Sequence, residues 1–380
     1  MCSLSMTNPQ PILPVPAFDP VAAMARCADA IFVQDERTDA IGGFPHDSVA
    51  LLADAGLLIA PFPVHMGGSA LGSREDSIAV LRDVLTMLGN ASQAVGRLYE
   101  GHVNAIILAT RHGGEAILAE LAAEARAGRL SGVWNAEPQA GLRLSRCDNG
   151  WQIDGQKIYC SGAGTIRRPV VTAAREAGAP PLMLVPDMTT PGVTVDLSAW
   201  RAAGMHGSMT GSVAFRAVVV PDDAVLGSEG TYYQAPAFAA GAWRVLAVQL
   251  GALQRVIKLH AAFLRRSGRE REPVLRSRFA DAAADAELAR LLVVAAAAHA
   301  EDRSAAPADA ENYVNMARTA FERLALGIIA ATRRNVGLSS FVAPNPIDRV
   351  LRDLETYLRQ PFLDVSRDSY ALHLLAKEAC

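Results

Sequence analysis

The sequence predicts an α+β chain in three parts: an N-terminal α-helical domain over 1–130, a small β domain over 131–232 and a C-terminal four-helix bundle over 233–380. Three observations carry this prediction. Apolar residues recur at helical spacing on both sides of the middle of the chain. From Ser131 the helical period gives way to short runs rich in β-branched residues, broken by proline and glycine. After Ala235 the chain turns alanine-rich, with long periodic stretches and short connections, the grammar of a bundle.

The elements follow in order. Asp19 before Pro20 reads as an N-cap with proline at the first helical position. Val21, Met24, Ala28, Ile31 and Phe32 then keep helical spacing. A second helix is expected from about Asp47 to Ala55, closed by Gly56. Ser73, with Asp76 three residues on, is expected to open a third, whose stripe is Ile78, Leu81, Leu85 and Leu88. Two more are expected over Ser92–His112 and Glu115–Arg126. Trp151–Cys160 alternates around Asp154-Gly155, a dipeptide that signals a hairpin turn. Val170–Ala173, Leu182–Val185 and Ser212–Val220 are further strand candidates. The bundle helices are expected near Ala235–Arg266, Val274–Arg303, Ala308–Asn335 and Leu363–Lys377.

Bulk properties exclude several function classes. A formal charge of -3 over 380 residues offers no basic field for nucleic acid or an anionic membrane. Five widely spaced cysteines, with no CxxC pair, suggest neither a disulfide framework nor a zinc site, and no metal is expected. The opening MCSLSMTNPQPILPVP lacks the charged and long apolar regions of a secretory signal, so a cytoplasmic location is the expectation. The most apolar stretch, Leu291–Ala298, is too short to span a bilayer. No GxSxG, HExxH or Walker loop occurs.

Five segments occur in a telling order. They are FPHDSVALLADAGLLIAPFPVHMGGSAL, GVWNAEP (Gly132–Pro138), GWQIDGQKIYCSGAG, GMHGSMTGSVAFRAVVVPDDAVLG (Gly204–Gly227) and PIDRVLRD (Pro346–Asp353). Together they resemble the acyl-CoA dehydrogenase superfamily over nearly the whole chain. The resemblance implies an FAD held between the β domain and the C-terminal bundle, with help from a second subunit, and hence a homodimer or homotetramer. It would lay Trp134 and Ala136 along the flavin ring. Tyr159 stands where the family has its ring-stacking tryptophan, and Ser161 where a threonine hydroxyl meets the flavin. Aromatic stacking and nearby hydrogen bonds suit a flat tricyclic cofactor. Arg265, Arg266 and Arg269 are expected near the pyrophosphate, because the guanidinium fork matches phosphate. Arg334 and Gly337 are expected at the contact made by the partner subunit.

The family pattern also breaks. The loop after the flavin-facing strand is shortened to QAGLRLSR, and the glycine-rich G-G-x-G-F reads VGLSSF, so FMN or a transiently bound reduced flavin is an alternative to FAD. The family's catalytic glutamate would fall at Pro361, some nine residues past Arg352, or just before Arg244, where Trp243 stands. Removal of an α-proton needs a carboxylate or imidazole. These positions offer neither. The resemblance therefore leaves three readings: a flavin-dependent oxidoreductase of acyl-CoA dehydrogenase type acting on an unknown small-molecule substrate, a two-component flavin-dependent monooxygenase, or a non-catalytic flavin-binding relative. The first two imply an electron-transfer partner or a flavin reductase. Candidate catalytic residues are His102, Ser161 and Arg244; candidate substrate-binding residues are His206 and Trp243.

Overall fold

The computed structural model describes residues 18–139, 141–359 and 363–378. Helices α1 (Pro20–Ile41), α2 (His46–Asp54), α3 (Ile78–Ala91), α4 (Gln93–His112) and α5 (Glu115–Arg126) come first. Asp19 caps α1 as expected, its carboxylate accepting from the amides of Val21 and Ala22 at 3.0 and 3.1 Å. Ser92 does the same for α4, accepting from Val95 at 3.1 Å. Ser73 does not cap α3. A 3-10 turn (Glu75–Ser77) intervenes, and the Ser77 hydroxyl is spent on the preceding loop, accepting from the amide of Gly72.

Among the described residues, eight strands form two four-stranded sheets. They are β1 (Gly132–Trp134), β2 (Leu142–Cys147), β3 (Gly150–Cys160), β4 (Pro169–Ala173), β5 (Leu182–Leu184), β6 (Val193–Asp196), β7 (Gly211–Val220) and β8 (Val225–Leu226). One sheet has the order β1-β4-β5-β8, the other β2-β3-β7-β6. Among the described residues the β1–β4 strand pair is parallel and the other strand pairs are antiparallel, with one isolated parallel bridge between Arg143 and Ala174. The expected Asp154-Gly155 hairpin is absent. β3 runs straight through those residues, and the turn lies at Asp148-Asn149, between β2 and β3. Gly155, at φ +128°, forms a bulge against β7, and a Cβ there would meet the Gly141 carbonyl at 2.3 Å. The Asp154 carboxylate completes the bulge by accepting from the amide of Ala217 at 2.7 Å. β2 occupies the segment read from sequence as a shortened loop.

The chain then returns to helices: α6 (Ala237–Arg266), α7 (Pro273–Glu301), α8 (Pro307–Val336), α9 (Pro346–Tyr357) and α10 (Leu363–Glu378). α3 and α6 cross with backbones almost touching. A Cβ on Gly89 would lie 1.9 Å from the Val248 carbonyl, and one on Gly251 would lie 2.0 Å from that of Thr86, so only glycine fits either position. α8 buries Val314, Ala317, Phe321, Ala325 and Ile328, whereas Leu326 and Gly327 are exposed and Met316, Ala320 and Leu324 half-buried. The helix is thus not covered all round within one chain. α9 is pinned to α1 by charge: Arg349 pairs with Asp35, and Arg352 with Asp39 at 2.7 Å. Among the described residues no helix is long and apolar enough to cross a membrane, and no group of His, Cys, Asp and Glu could hold a metal ion.

Candidate active site

The candidate site lies where the end of β3, the tail of β1 and the start of α4 converge. Tyr159 sits one residue before the end of β3 with φ +53°, a conformation that costs a non-glycine residue about 1–3 kcal/mol. Its ring is 67% exposed. The ring is thus left on the surface by a strained backbone and adds little to the core. Ser161 follows directly. Trp134 is only 2% exposed, and its indole N–H donates to the Ser161 carbonyl at 3.0 Å. Trp134 therefore fixes Ser161 from behind, where the resemblance would have laid it open along a flavin ring. Ala136 binds through its backbone, accepting from the amide of Ile158 at 3.0 Å, which holds the β1 tail beside Tyr159.

A second support comes from residues 205–210. Thr210 donates its hydroxyl to that of Ser161 at 3.5 Å, the Ser208 and Thr210 hydroxyls lie 2.8 Å apart, and the Ser208 carbonyl accepts from the amide of Gly162 at 2.8 Å. Met205 and Met209 both have positive φ, and the carboxylate of Asp353 accepts from the amide of Met205. Burial raises the Asp353 carboxyl to about 6. His206 does not face this site. Its Nδ1 lies 3.0 Å from Asp39 and its Nε2 3.0 Å from the Ala202 carbonyl, so it ties the loop to α1. The sequence expectation of a substrate-facing His206 is corrected accordingly.

The start of α4 closes the site from the other side. A Cβ on Gly101 would lie 3.6 Å from Arg97 and 3.9 Å from Gly132, so this helix face rests on β1. Arg97 pairs with Glu100, which also accepts from the Asn104 amide. Arg244 donates to Asn104 at 3.1 Å and to Glu301 at 2.7 Å, and the Trp243 indole donates to Glu301 at 3.1 Å. Trp243 is fully buried and Arg244 nearly so. Both are components of a buried polar chain rather than open substrate-binding surfaces: the Trp243 indole and the two terminal nitrogens of Arg244 donate to protein acceptors, and both side chains are shielded from solvent. Pro361 lies outside the described residues.

His102 is also corrected. It is fully buried, Nδ1 accepts from the amide of Ser131 at 3.0 Å, and Nε2 donates to the Leu58 carbonyl at 2.7 Å. Burial lowers its pKa to about 4. With both ring nitrogens engaged by backbone it has no lone pair or proton to offer a substrate.

The basic corner stands at the far end of the bundle. Arg265 and Arg334 are exposed and make no ion pair among the described residues. Arg269 donates to the Asn335 carbonyl at 3.3 Å, two residues before Gly337, which ends α8 at φ +77°. The contact brings Arg269 to the C-terminal end of α8, which carries Arg334 and Gly337.

Sequence reasoning passed over Asn135, Lys157 and Thr172. The Lys157 side chain is fully buried. Its ammonium donates to Glu137 at 2.6 Å, to the Asn135 carbonyl at 3.1 Å and to the Thr172 hydroxyl at 3.0 Å. Burial lowers its pKa, and Glu137 opposes the shift. The available signal was slight: a lysine next to Ile158 inside a strand, with Glu137 in the loop after β1.

Comparison with known proteins agrees with this architecture. Residues 228–358 match the family described as acyl-CoA dehydrogenase, C-terminal domain. The mitochondrial isovaleryl-CoA dehydrogenase of Oryza sativa subsp. japonica is 24% identical over 342 residues, covering 84% of this chain and 81% of the rice protein. Among solved structures, TdsC of Paenibacillus sp. A11-2 with FMN and indole superposes with a TM-score of 0.81 at 18% identity, covering 94% of this chain and 97% of that one. A glutaryl-coenzyme A dehydrogenase in complex with glutaryl-CoA gives 0.81 at 19% identity, covering 98% and 97%. At such identities the structural likeness is one of fold.

Proposed function

The chain carries an acyl-CoA dehydrogenase C-terminal domain on an acyl-CoA dehydrogenase fold, and on that premise we propose that it is a flavin-dependent oxidoreductase. The observation that carries this reading is Tyr159, an exposed ring on strained backbone, beside a Ser161 braced by Trp134 and Thr210. A flat aromatic cofactor suits that surface: Tyr159 would stack on its ring and the Ser161 hydroxyl would hydrogen-bond its edge. Arg265, Arg269 and Arg334 would take the phosphate end, in this subunit or a neighbouring one. A bound flavin supplies hydride acceptance or oxygen chemistry. The protein's own residues bind, orient and exclude water.

α,β-Dehydrogenation requires in addition a carboxylate or imidazole within hydrogen-bond reach of the substrate and not already held in an ion pair. Position 243 is a buried tryptophan. Glu301 accepts from Trp243 and Arg244, and Glu100 from Arg97 and Asn104, so both nearby carboxylates are engaged. That engagement favours a second reading, a two-component monooxygenase working with a flavin reductase. The fold it shares with TdsC, a dibenzothiophene monooxygenase whose structure contains FMN, supports the same reading. A homodimer or homotetramer is part of the proposal, supported by the uncovered side of α8 and by exposed Leu338, Phe341 and Val342 beside the basic corner.

Paired assays test the reading. One follows dye-linked oxidation of saturated acyl-CoA thioesters, the other oxygen uptake in the presence of a flavin reductase and NADH. Activity in either supports an oxidoreductase and distinguishes the two chemistries. Inactivity in both, across acyl-CoA, aromatic and heteroaromatic substrates, would overturn it.

A further inference from the structure

The Lys157 cluster fixes more than the strands. An ammonium group is only a donor, and its three N–H groups are all spent, on Glu137, the Asn135 carbonyl and the Thr172 hydroxyl. Thr172 Oγ1 thus accepts from Lys157, and its own proton is directed at Asn135 Oδ1, 2.7 Å away. The Tyr233 hydroxyl donates to the same oxygen at 3.1 Å. Both lone pairs of Oδ1 are thereby filled, and the orientation of the amide is set. The Asn135 amide nitrogen has no acceptor among the described residues. Asn135 itself is half-buried, beside exposed Tyr233 and adjoining Ala136, which pairs with the strand that ends in Tyr159 and Cys160.

We propose that Lys157 is a positioning residue: acting through Thr172, it turns the side-chain amide of Asn135 so that its N–H groups face the flavin mouth and donate to an acceptor on the bound ring. The inference rests on the flavin reading above and adds to it a specific donor and the buried cation that orients it. The relay also accounts for a lysine in a dry interior, where an ammonium is costly unless every N–H is matched.

The test titrates FMN and FAD into wild type, Asn135→Asp, Thr172→Val and Thr172→Ser, following both affinity and the visible flavin band. Asn135→Asp keeps the acceptor used by Thr172 and Tyr233 but replaces the donor. Thr172→Val cuts the relay while leaving Lys157 on Glu137. Each is expected to weaken flavin binding about tenfold or more, the effect of leaving a buried polar group unmatched, and to shift the band. Thr172→Ser keeps the hydroxyl and is expected to behave as wild type. Wild-type affinity and spectrum in Asn135→Asp would overturn the proposal, and that variant decides the matter if Thr172→Val does not fold. Failure of wild type to bind either flavin would instead overturn the functional reading. The orientation is then judged on the apoprotein: Asn135→Asp melting with wild type upholds it, because the amide nitrogen serves no protein acceptor, and a fall of several degrees overturns it.

Discussion

Glu301 anchors the buried polar chain behind the candidate site, and its removal gives a quantitative test of that chain. Its carboxylate accepts from Arg244 at 2.7 Å and from the Trp243 indole at 3.1 Å, with Arg111 at 3.7 Å. The Arg244 side chain is 4% exposed, and its Nε has no partner. In Glu301→Ala the guanidinium keeps one hydrogen bond, to Asn104, and loses its counter-charge in a desolvated place. Breaking a buried pair by deleting one partner costs about 3–5 kcal/mol. Glu301 is itself 13% exposed, so water entering the gap would hold the cost near the lower end, about 3 kcal/mol. For a large domain each kcal/mol moves the melting temperature by roughly 2–4 °C, so a fall of roughly 6 °C or more is expected. Glu301→Gln retains an acceptor for the indole and a neutral one for Arg244, and is expected to lose less than half as much. Differential scanning calorimetry on the three proteins at one concentration reads the effect. A Glu301→Ala protein melting within about 1 °C of wild type would refute the assignment of this pair as buried and mutually dependent.

Three further outcomes are expected. Burial lowers both His102 and His260 to about 4, so each folded histidine binds protons less readily than the unfolded one; stability is full above pH 6.5 and is lost as pH falls. Unfolding free energies from urea titrations at pH 7 and pH 5 should differ by roughly 2 kcal/mol per histidine, and His102→Gln should reduce the difference. Saturated acyl-CoA thioesters should be dehydrogenated slowly or not at all; dye-linked turnover of about 10 per second, typical of enzymes, would contradict the engaged carboxylates. Light scattering should show at least a dimer, and Gly327→Arg should dissociate it without unfolding the subunit. A Cβ at Gly327 meets nothing closer than Asp285 at 3.6 Å, so the chain itself has room for the substitution, and a monomeric wild type would refute the expectation.

Helix positions were legible wherever an apolar stripe met a cap. Asp19-Pro20 and Ser92 mark α1 and α4 to within a residue, because capping is local chemistry. α9 escaped as a helix because its buried face carries Arg349 and Asp353, which find their partners on α1 and in the loop at Met205, far away in sequence. Asp154-Gly155 misled for a related reason. Gly155 supplies positive φ to a hairpin turn or to a bulge equally well, and only pairing with β7 decides which. In the site, Tyr159 and Ser161 were legible as a motif. The histidines were not, since a ring nitrogen bound to a backbone carbonyl leaves no trace in sequence. Lys157, Thr172 and Asn135 were missed because their chemistry arises only when two sheets meet.

The central claim is that Tyr159 and Ser161 mark a flavin site. The most direct measurement is titration of purified protein with FAD and with FMN, following the visible flavin absorption and the quenching of flavin fluorescence, in wild type and in Tyr159→Ala. The account predicts saturable binding of at least one flavin by wild type, weakened about threefold to tenfold in Tyr159→Ala, as loss of one stacking contact implies. No saturable binding of either flavin by the wild-type protein would contradict it.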